Sequence, residues 1–376
     1  MIIGIPKETE RLEHRVGLTP FAVRRLCQQG HTALVEKEAG AAGHFSDRDF
    51  TGAGGEIVYT AEEVYKRVDL VCQVGGIFPH ELDLLKPGSV ICAFHHLAVA
   101  PRDMIDRLMR MEMTLVGYEI IEDAARDRPI LLATSDLAGQ LVVHQAAHLL
   151  QIQSGGRGIL LGNTPGVPPA TVLIVGAGSV GTSAAKHAMA NGAHVIVADA
   201  DVRKLQHLVQ TLGDRVVTTI ATPGRLERFV TFADVVIGAV LIPGGRTPYV
   251  ITEEMVKSMK PGSVIIDVSI DQGGCVETSR PTTLDNPTFK KHEVTHYCVP
   301  NMTANISRTA SRVLTMSALP WIERITGEGL ETALAEDAGL REGVYMYRGK
   351  LVNQAVASIL GLPPARLSDL LGGRMS

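Results

Sequence analysis

Short apolar runs rich in Val, Ile and Leu recur along the chain, and amphipathic stretches bounded by Thr, Ser, Pro and Gly separate them. Runs of that length and content predict strands buried on both faces, and the stretches between them predict covering helices. From the first residue the pattern predicts a strand Ile2–Ile5, a helix opened by Thr19 and Pro20 and ending at Gly30, then a strand Thr32–Glu36. Thr60 and Glu63 have the spacing of a capping box for a helix through Val68. Strands Asp69–Val74, Ser89–Phe94 and Thr114–Tyr118 follow, with helices Pro79–Leu85 and Pro101–Met111 between them. This is a doubly wound lobe without a glycine fingerprint, so it should hold something other than a dinucleotide.

Thr134 or Ser135 is the expected cap of a long apolar helix, Asp136–Gln151, which leads into a Gly/Pro-rich loop, Ser154–Ala170, that reads as a boundary. Beyond it the pattern predicts strands Thr171–Val175, His194–Ala198, Ala233–Val240, Ser263–Ile270 and His296–Val299. A loop Leu241–Pro248 and a helix capped by Thr252 lie among them, and from Thr303 the chain turns helical again through Thr315 and Trp321. The expected fold is α/β, with two doubly wound Rossmann-like domains. A cofactor domain, 135–302, is inserted in a discontinuous substrate domain built from 1–134 and 303–376. No internal repeat appears.

The stretch Thr171–Asp199 carries the strongest chemistry. Gly176, Gly178 and Gly181 follow the strand in G-x-G-x-x-G spacing: the first permits the turn, the second lets backbone approach a pyrophosphate, and the third lets the helix pack close to the sheet. Ser179 and Val180 open that helix, whose free N–H groups face an anion. Asp199 ends the next strand, where a carboxylate accepts both ribose hydroxyls and repels a 2′-phosphate. NAD is therefore the expected cofactor, with Arg203 and Lys204 nearby keeping NADP open.

Composition narrows the partners. The 376 residues are 45% hydrophobic and 20% charged with a net charge of −4, which gives no electrostatic footprint for nucleic acid or an anionic membrane. Five scattered cysteines, Cys27, Cys72, Cys92, Cys275 and Cys298, fit a reducing cytoplasm better than a disulfide framework. No signal peptide or membrane-spanning run is evident. The expectation is a cytoplasmic protein acting on small molecules.

In doubly wound sheets ligands bind beyond the carboxyl ends of strands. Polar residues at those places are His95 and His96, Asp271 before two glycines, and Asn301. An imidazole titrates near neutral pH and can accept and return a proton, so His96 is a candidate acid and base. Asp271 reads equally well as an Asx-turn residue, and Arg15 reads first as a surface arginine and only second as a bidentate grip on a carboxylate. No metal-binding motif is present.

Several blocks in one order resemble the alanine dehydrogenase family, which includes the NAD-binding part of proton-translocating transhydrogenase. They are G-I-P-K-E-T with R-V-G-L-T-P, H-H-L-A, P-G-V-P, the glycine fingerprint, D-V-V-I-G-A-V-L-I-P-G, I-D-Q-G-G-C with S-R-P-T-T, and Y-C-V-P-N-M. The resemblance implies that Arg15 binds the substrate carboxylate, that His96 and Asp271 are catalytic, and that Asn301 lies beside nicotinamide and substrate. It also implies cofactor contacts at Ser135, Asp199, Val240 and Leu241, and a homo-oligomer, usually a hexamer. The implied reaction is reversible NAD-dependent oxidative deamination of a small L-amino acid, L-alanine to pyruvate plus ammonia.

One block departs from the family. Where alanine dehydrogenases typically read K-V-K-E-P, with the second lysine on the oxo-acid, this chain reads Gln73-Val74-Gly75-Gly76-Ile77. A charge-assisted hydrogen bond is worth roughly 1.5–3 kcal/mol, so the loss leaves room for a different amino or imino acid, or for a non-catalytic NAD-binding regulator or subunit. Gln73 is the first candidate to replace the lysine.

Overall fold

The computed structural model describes residues 1–10, 12–242 and 246–372. The expected loop Leu241–Pro248, and the end of the block D-V-V-I-G-A-V-L-I-P-G, fall partly outside the described residues. The chain divides into two compact units. One comprises Met1–Thr134 with Ala304–Ser376, and the other Ser135–Ile242 with Arg246–Thr303.

In chain order the first strands are β1 (Ile2–Ile5), β2 (Thr32–Glu36), β3 (Glu56–Val58), β4 (Leu70–Gly75), β5 (Val90–Phe94) and β6 (Thr114–Gly117). Those of the other unit are β7 (Thr171–Val175), β8 (His194–Asp199), β9 (Val217–Ile220), β10 (Val235–Gly238), β11 (Val264–Asp267), β12 (Thr288–Lys291) and β13 (Val294–Tyr297). A hairpin, β14 (Val344–Tyr347) and β15 (Lys350–Leu351), completes the first sheet.

The two sheets have orders β15-β14-β6-β5-β4-β1-β2-β3 and β12-β13-β11-β10-β7-β8-β9. In each, six strands run parallel and an antiparallel strand or hairpin closes one edge. Strand order reverses between β1 and β4 in one sheet and between β7 and β10 in the other. Those are the switch points at which a doubly wound sheet opens a crevice for ligand.

Both sheets are buried on both faces, as the continuous apolar runs require. Ile3, Ile5, Leu70 and Cys72 pack on one side of the first sheet, and Leu34, Val71 and Ile91 on the other. The second sheet divides likewise between Val172, Ile174, Val197 and Ile237 and, opposite, Leu173, Val175, Ile196 and Val236.

Several expected elements end elsewhere, each for a local reason. The helix expected over Pro79–Leu85 is only a 3-10 turn, Pro79–Glu81, closed at its start by the Glu81 carboxylate, which accepts the Phe78 N–H at 2.8 Å and the Thr9 hydroxyl at 2.9 Å. The long helix begins at Pro129, not Asp136, so Thr134 and Ser135 are interior residues rather than caps. Proline at a first helical position was the available signal. Thr134 instead donates its hydroxyl to the Ile130 and Leu131 carbonyls, both at 3.1 Å. At Thr60 half of the capping box forms: its oxygen accepts from the Glu63 N–H at 3.2 Å, but Glu63 reaches the Tyr59 N–H. β11 stops at Asp267, three residues before the expected end, and a 3-10 turn Val268–Gln272 follows.

Candidate active site

The glycine turn after β7 is a backbone structure with no space for a side chain at two of its three glycines. Gly176 has φ +111°, and a Cβ there would lie 2.3 Å from the Ala239 carbonyl oxygen. A Cβ on Gly181 would lie 1.8 Å from the Gly176 oxygen, so the helix Ser179–Ala190 approaches the sheet only because that position is glycine. Gly178 is different: nothing lies within 4 Å of where its Cβ would be. It is the N-cap of the helix, and no side chain caps the helix there. The first-turn N–H groups at Ser179 and Val180 are thus left for an anion, the donor set that a pyrophosphate requires.

Asp199, at the end of β8, accepts the Ala177 N–H at 2.7 Å and the Asp201 N–H at 2.8 Å, so its carboxylate braces the same turn. Arg203 does not face Asp199: its guanidinium lies on Asp201 at 3.0 Å and is 86% exposed. Val240 sits against the turn, its N–H nitrogen 3.1 Å from the position of a Gly176 Cβ, and Leu241 beside it is exposed. Ser135 precedes Asp136, whose carbonyl accepts the Ser183 hydroxyl at 2.9 Å, while Gly139 lets the two helices touch. The long helix thereby brings Ser135 alongside the glycine helix.

In the same unit, buried Asp267 draws the chain after β11 into a tight loop by accepting the N–H groups of Ser269, Cys275 and Val276 at 3.1, 3.0 and 3.1 Å. Burial pushes the Asp267 carboxyl up, against the pull of those bonds. The loop delivers Asp271, half-buried, with its Oδ1 accepting the Asn301 N–H at 3.1 Å. Asn301 is held at φ +53°, so the two sequence candidates meet at adjacent strand ends.

In the other unit, Arg15 follows β1 and is only 7% exposed. Its Nε and Nη2 grip the buried carboxylate of Glu13 at 2.7 and 2.6 Å. The loop is pinned to the helix Ser307–Glu328 by two hydroxyls one turn apart: Ser311 accepts the Val16 N–H at 3.0 Å and Thr315 the Thr19 N–H at 2.9 Å. Gln73 turns inward. Its amide donates to the Gly75 carbonyl at 2.8 Å and accepts from the Tyr65 hydroxyl at 3.1 Å, which commits it to the sheet rather than to a ligand.

Sequence reasoning missed Glu8. Its carboxylate accepts the N–H groups of Val74 and Gly75 at 2.6 and 3.2 Å, and burial first, then Glu13, pushes its pKa up to about 8. A Cβ on Gly75 would meet only Glu8 Oε2, at 3.6 Å, and the Phe78 ring edge, at 4.0 Å. Glu8 lies in the block with Lys7, and Glu13 two residues before the block that Arg15 opens, which was the available signal, but acids in a polar loop read as solvated.

The two histidines after β5 separate by environment. His95 is buried with its Nε2 3.2 Å from the Ile91 carbonyl oxygen, and burial holds its pKa low. His96 is half-buried, its ring stacked on Phe94 at 6.1 Å, and its N–H donates to Glu119 Oε1 at 2.8 Å.

Comparison with known proteins matches nearly the whole chain. Residues 4–138 fit the family model for the alanine dehydrogenase/PNT N-terminal domain, and 142–354 the model for its C-terminal domain. The chain is 40% identical over 363 residues to an alanine dehydrogenase of Mycolicibacterium smegmatis, covering 96% of this chain and 98% of that one. With an alanine dehydrogenase of Methanococcus maripaludis it shares 40% over 364 residues, covering 96% and 97%. Among solved structures, an L-alanine dehydrogenase superposes with a TM-score of 0.88 at 40% identity over 96% of this chain and 99% of that one. A transhydrogenase from Sinorhizobium meliloti, 24% identical, shares the fold with a TM-score of 0.78, covering 94% of this chain and 100% of that one.

Proposed function

The chain belongs to the alanine dehydrogenase/PNT family, and on that premise we propose that it is an NAD-dependent amino-acid dehydrogenase converting L-alanine, water and NAD⁺ reversibly to pyruvate, ammonium, NADH and a proton. The observation that carries the reading is near-full-length similarity at 40% identity to alanine dehydrogenases, together with a glycine cradle whose helix N-terminus has no side-chain cap. Bound NAD supplies the hydride acceptor. Gly176, Gly178, Ser179, Val180 and Gly181 would hold its pyrophosphate, Asp199 its ribose, and Ser135, Val240 and Leu241 the remainder.

The unit 135–302 is assigned to cofactor, and 1–134 with 303–376 to substrate. In this reading Arg15, aligned by Glu13, binds the substrate carboxylate. His96 takes a proton from the water that attacks the imino acid and returns it to the departing amine. Asp271 stabilises the cationic amine, and Asn301, whose N–H it holds, orients the reacting centre. The protein would act in the cytoplasm as a homo-oligomer, a hexamer by family likeness.

The test is NADH absorbance with L-alanine and NAD, repeated with His96→Ala and Asp271→Asn. Full activity in either variant would remove that residue from the mechanism. A second reading keeps the chemistry and changes the amino acid, and Gly75 in place of the family's lysine favours it. A panel of larger and charged L-amino acids in the same assay decides between the two. Tight NAD binding with no turnover of any of them would instead point to a regulator.

A further inference from the structure

His96 sits at a backbone turn that a side chain disfavours. Its φ of +46° is left-handed, and the bond that stabilises the turn comes from Glu119, just beyond β6, whose Oε1 accepts the His96 N–H at 2.8 Å. Glu119 is 3% exposed, and the same oxygen accepts the Tyr345 hydroxyl at 3.0 Å from 226 residues further along the chain.

Tyr345 reaches Glu119 through a defect in the sheet. β14 pairs antiparallel with β6, with Val344 opposite Val116 and Met346 opposite Leu115, so Tyr345 is the extra residue of a bulge. A bulge re-aims a side chain, and this one lays the tyrosine ring over Gly117, where a Cβ would lie 2.4 Å from Tyr345 Cε2. The ring also meets His95 edge-on, at 6.3 Å and 87°. The other carboxylate oxygen of Glu119, Oε2, is buried with no hydrogen-bond partner among the described residues. A group left half-satisfied in the interior needs a reason beyond packing.

We propose that Glu119 and Tyr345 are positioning residues for His96. The carboxylate fixes the main chain of the turn, and the tyrosine of the C-terminal hairpin fixes the carboxylate, so that the imidazole is presented in one orientation with Phe94 stacked against it. The proposal rests on His96 being the proton-transferring group.

The experiment is steady-state kinetics with L-alanine and NAD, with thermal melting and NADH titration on each variant. Glu119→Ala is expected to lower kcat about 10- to 100-fold at unchanged KM and NADH affinity, the scale of a misplaced catalytic group. Glu119→Gln retains the acceptor oxygen and should stay within about threefold of the unmodified rate. Tyr345→Phe should lower kcat about threefold alone and not at all in the Glu119→Ala background, because the two act in one chain of contacts. If Glu119→Ala does not fold, Tyr345→Phe decides: an unchanged kcat overturns the proposal. It also falls if Glu119→Gln is as impaired as Glu119→Ala, or if kcat and melting temperature fall together while KM rises. His96→Ala separates the two layers. If that variant is impaired while Glu119→Ala is not, only the positioning role is lost; if it turns over normally, the assignment of His96 and the positioning role fail together.

Discussion

The two sheets share a strand order, yet their switch points are built from different materials. After β7 the site is main chain: three glycines, a turn and an uncapped helix start. After β1 and β4 it is side chain, with the strand-end N–H groups of Val74 and Gly75 taken by Glu8 and Arg15 taken by Glu13. A backbone site reads what is common to all dinucleotides, a pyrophosphate, and tolerates little substitution. A site of buried charged side chains reads one substrate against another and can be retuned by exchanging one of them.

That contrast is sharpest at Gly181. Gly181→Ala forces a Cβ to within 1.8 Å of a carbonyl oxygen, and an overpacked helix of this kind costs about 1–3 kcal/mol. We expect NADH affinity to fall by roughly 100-fold and the unit 135–303 to melt earlier, as read by fluorescence titration and calorimetry. Unchanged affinity would mean that the cradle is not the cofactor site. Gly178→Ala separates binding from folding, because its Cβ meets nothing within 4 Å. NADH affinity should drop about tenfold with no change in melting temperature; a lower melting temperature would show that the space is not reserved for ligand.

On the side-chain site the expected changes are smaller and can go upward. Gly75→Lys places an ammonium beside Glu8, and kcat/KM for alanine should rise about tenfold, the value of one charge-assisted hydrogen bond. A slower variant would mean that the site already meets its substrate without a cation.

The last effect is one of pH. The Glu8 carboxyl is raised from 4.5 to about 8, so between those values the folded chain keeps a proton that the unfolded chain has released. Stability therefore falls as pH rises through that window and levels off above it. Glu8→Gln should remove this part of the decline when melting temperatures are compared between about pH 5 and about pH 9. Parallel curves for the two proteins would place the Glu8 proton elsewhere.

The same contrast explains what could be read in the sequence. Gly176 and Gly181 were legible because main-chain crowding admits only glycine there, and Gly178 and Asp199 because they fall at fixed spacing from those two. Both doubly wound sheets were legible from the apolar runs. Glu8, Glu119 and Asp267 were not, because a buried carboxylate is identified by what it bonds, and theirs are N–H groups distant in sequence; Glu13 lies two residues from Arg15, but an exposed pair would have the same spacing. Asp267 also shortened β11 by drawing in the N–H groups of Cys275 and Val276, which moved Asp271 from a strand end to a 3-10 turn. Gln73, expected to replace the missing lysine, was claimed by Gly75 and Tyr65 within the sheet.

The late hairpin has a consequence for how the molecule is made. β6 is complete at Gly117, but the strand that covers it begins at Val344, and all of Ser135–Thr303 is synthesised in between. Chains emerge amino-terminus first and domains fold as units, so the unit with the glycine cradle has every strand in hand while the earlier one still displays an open edge. A ribosome that stops short of Tyr345 therefore releases a chain with its glycine turn whole and with Glu119 lacking the tyrosine hydroxyl that the hairpin brings to it.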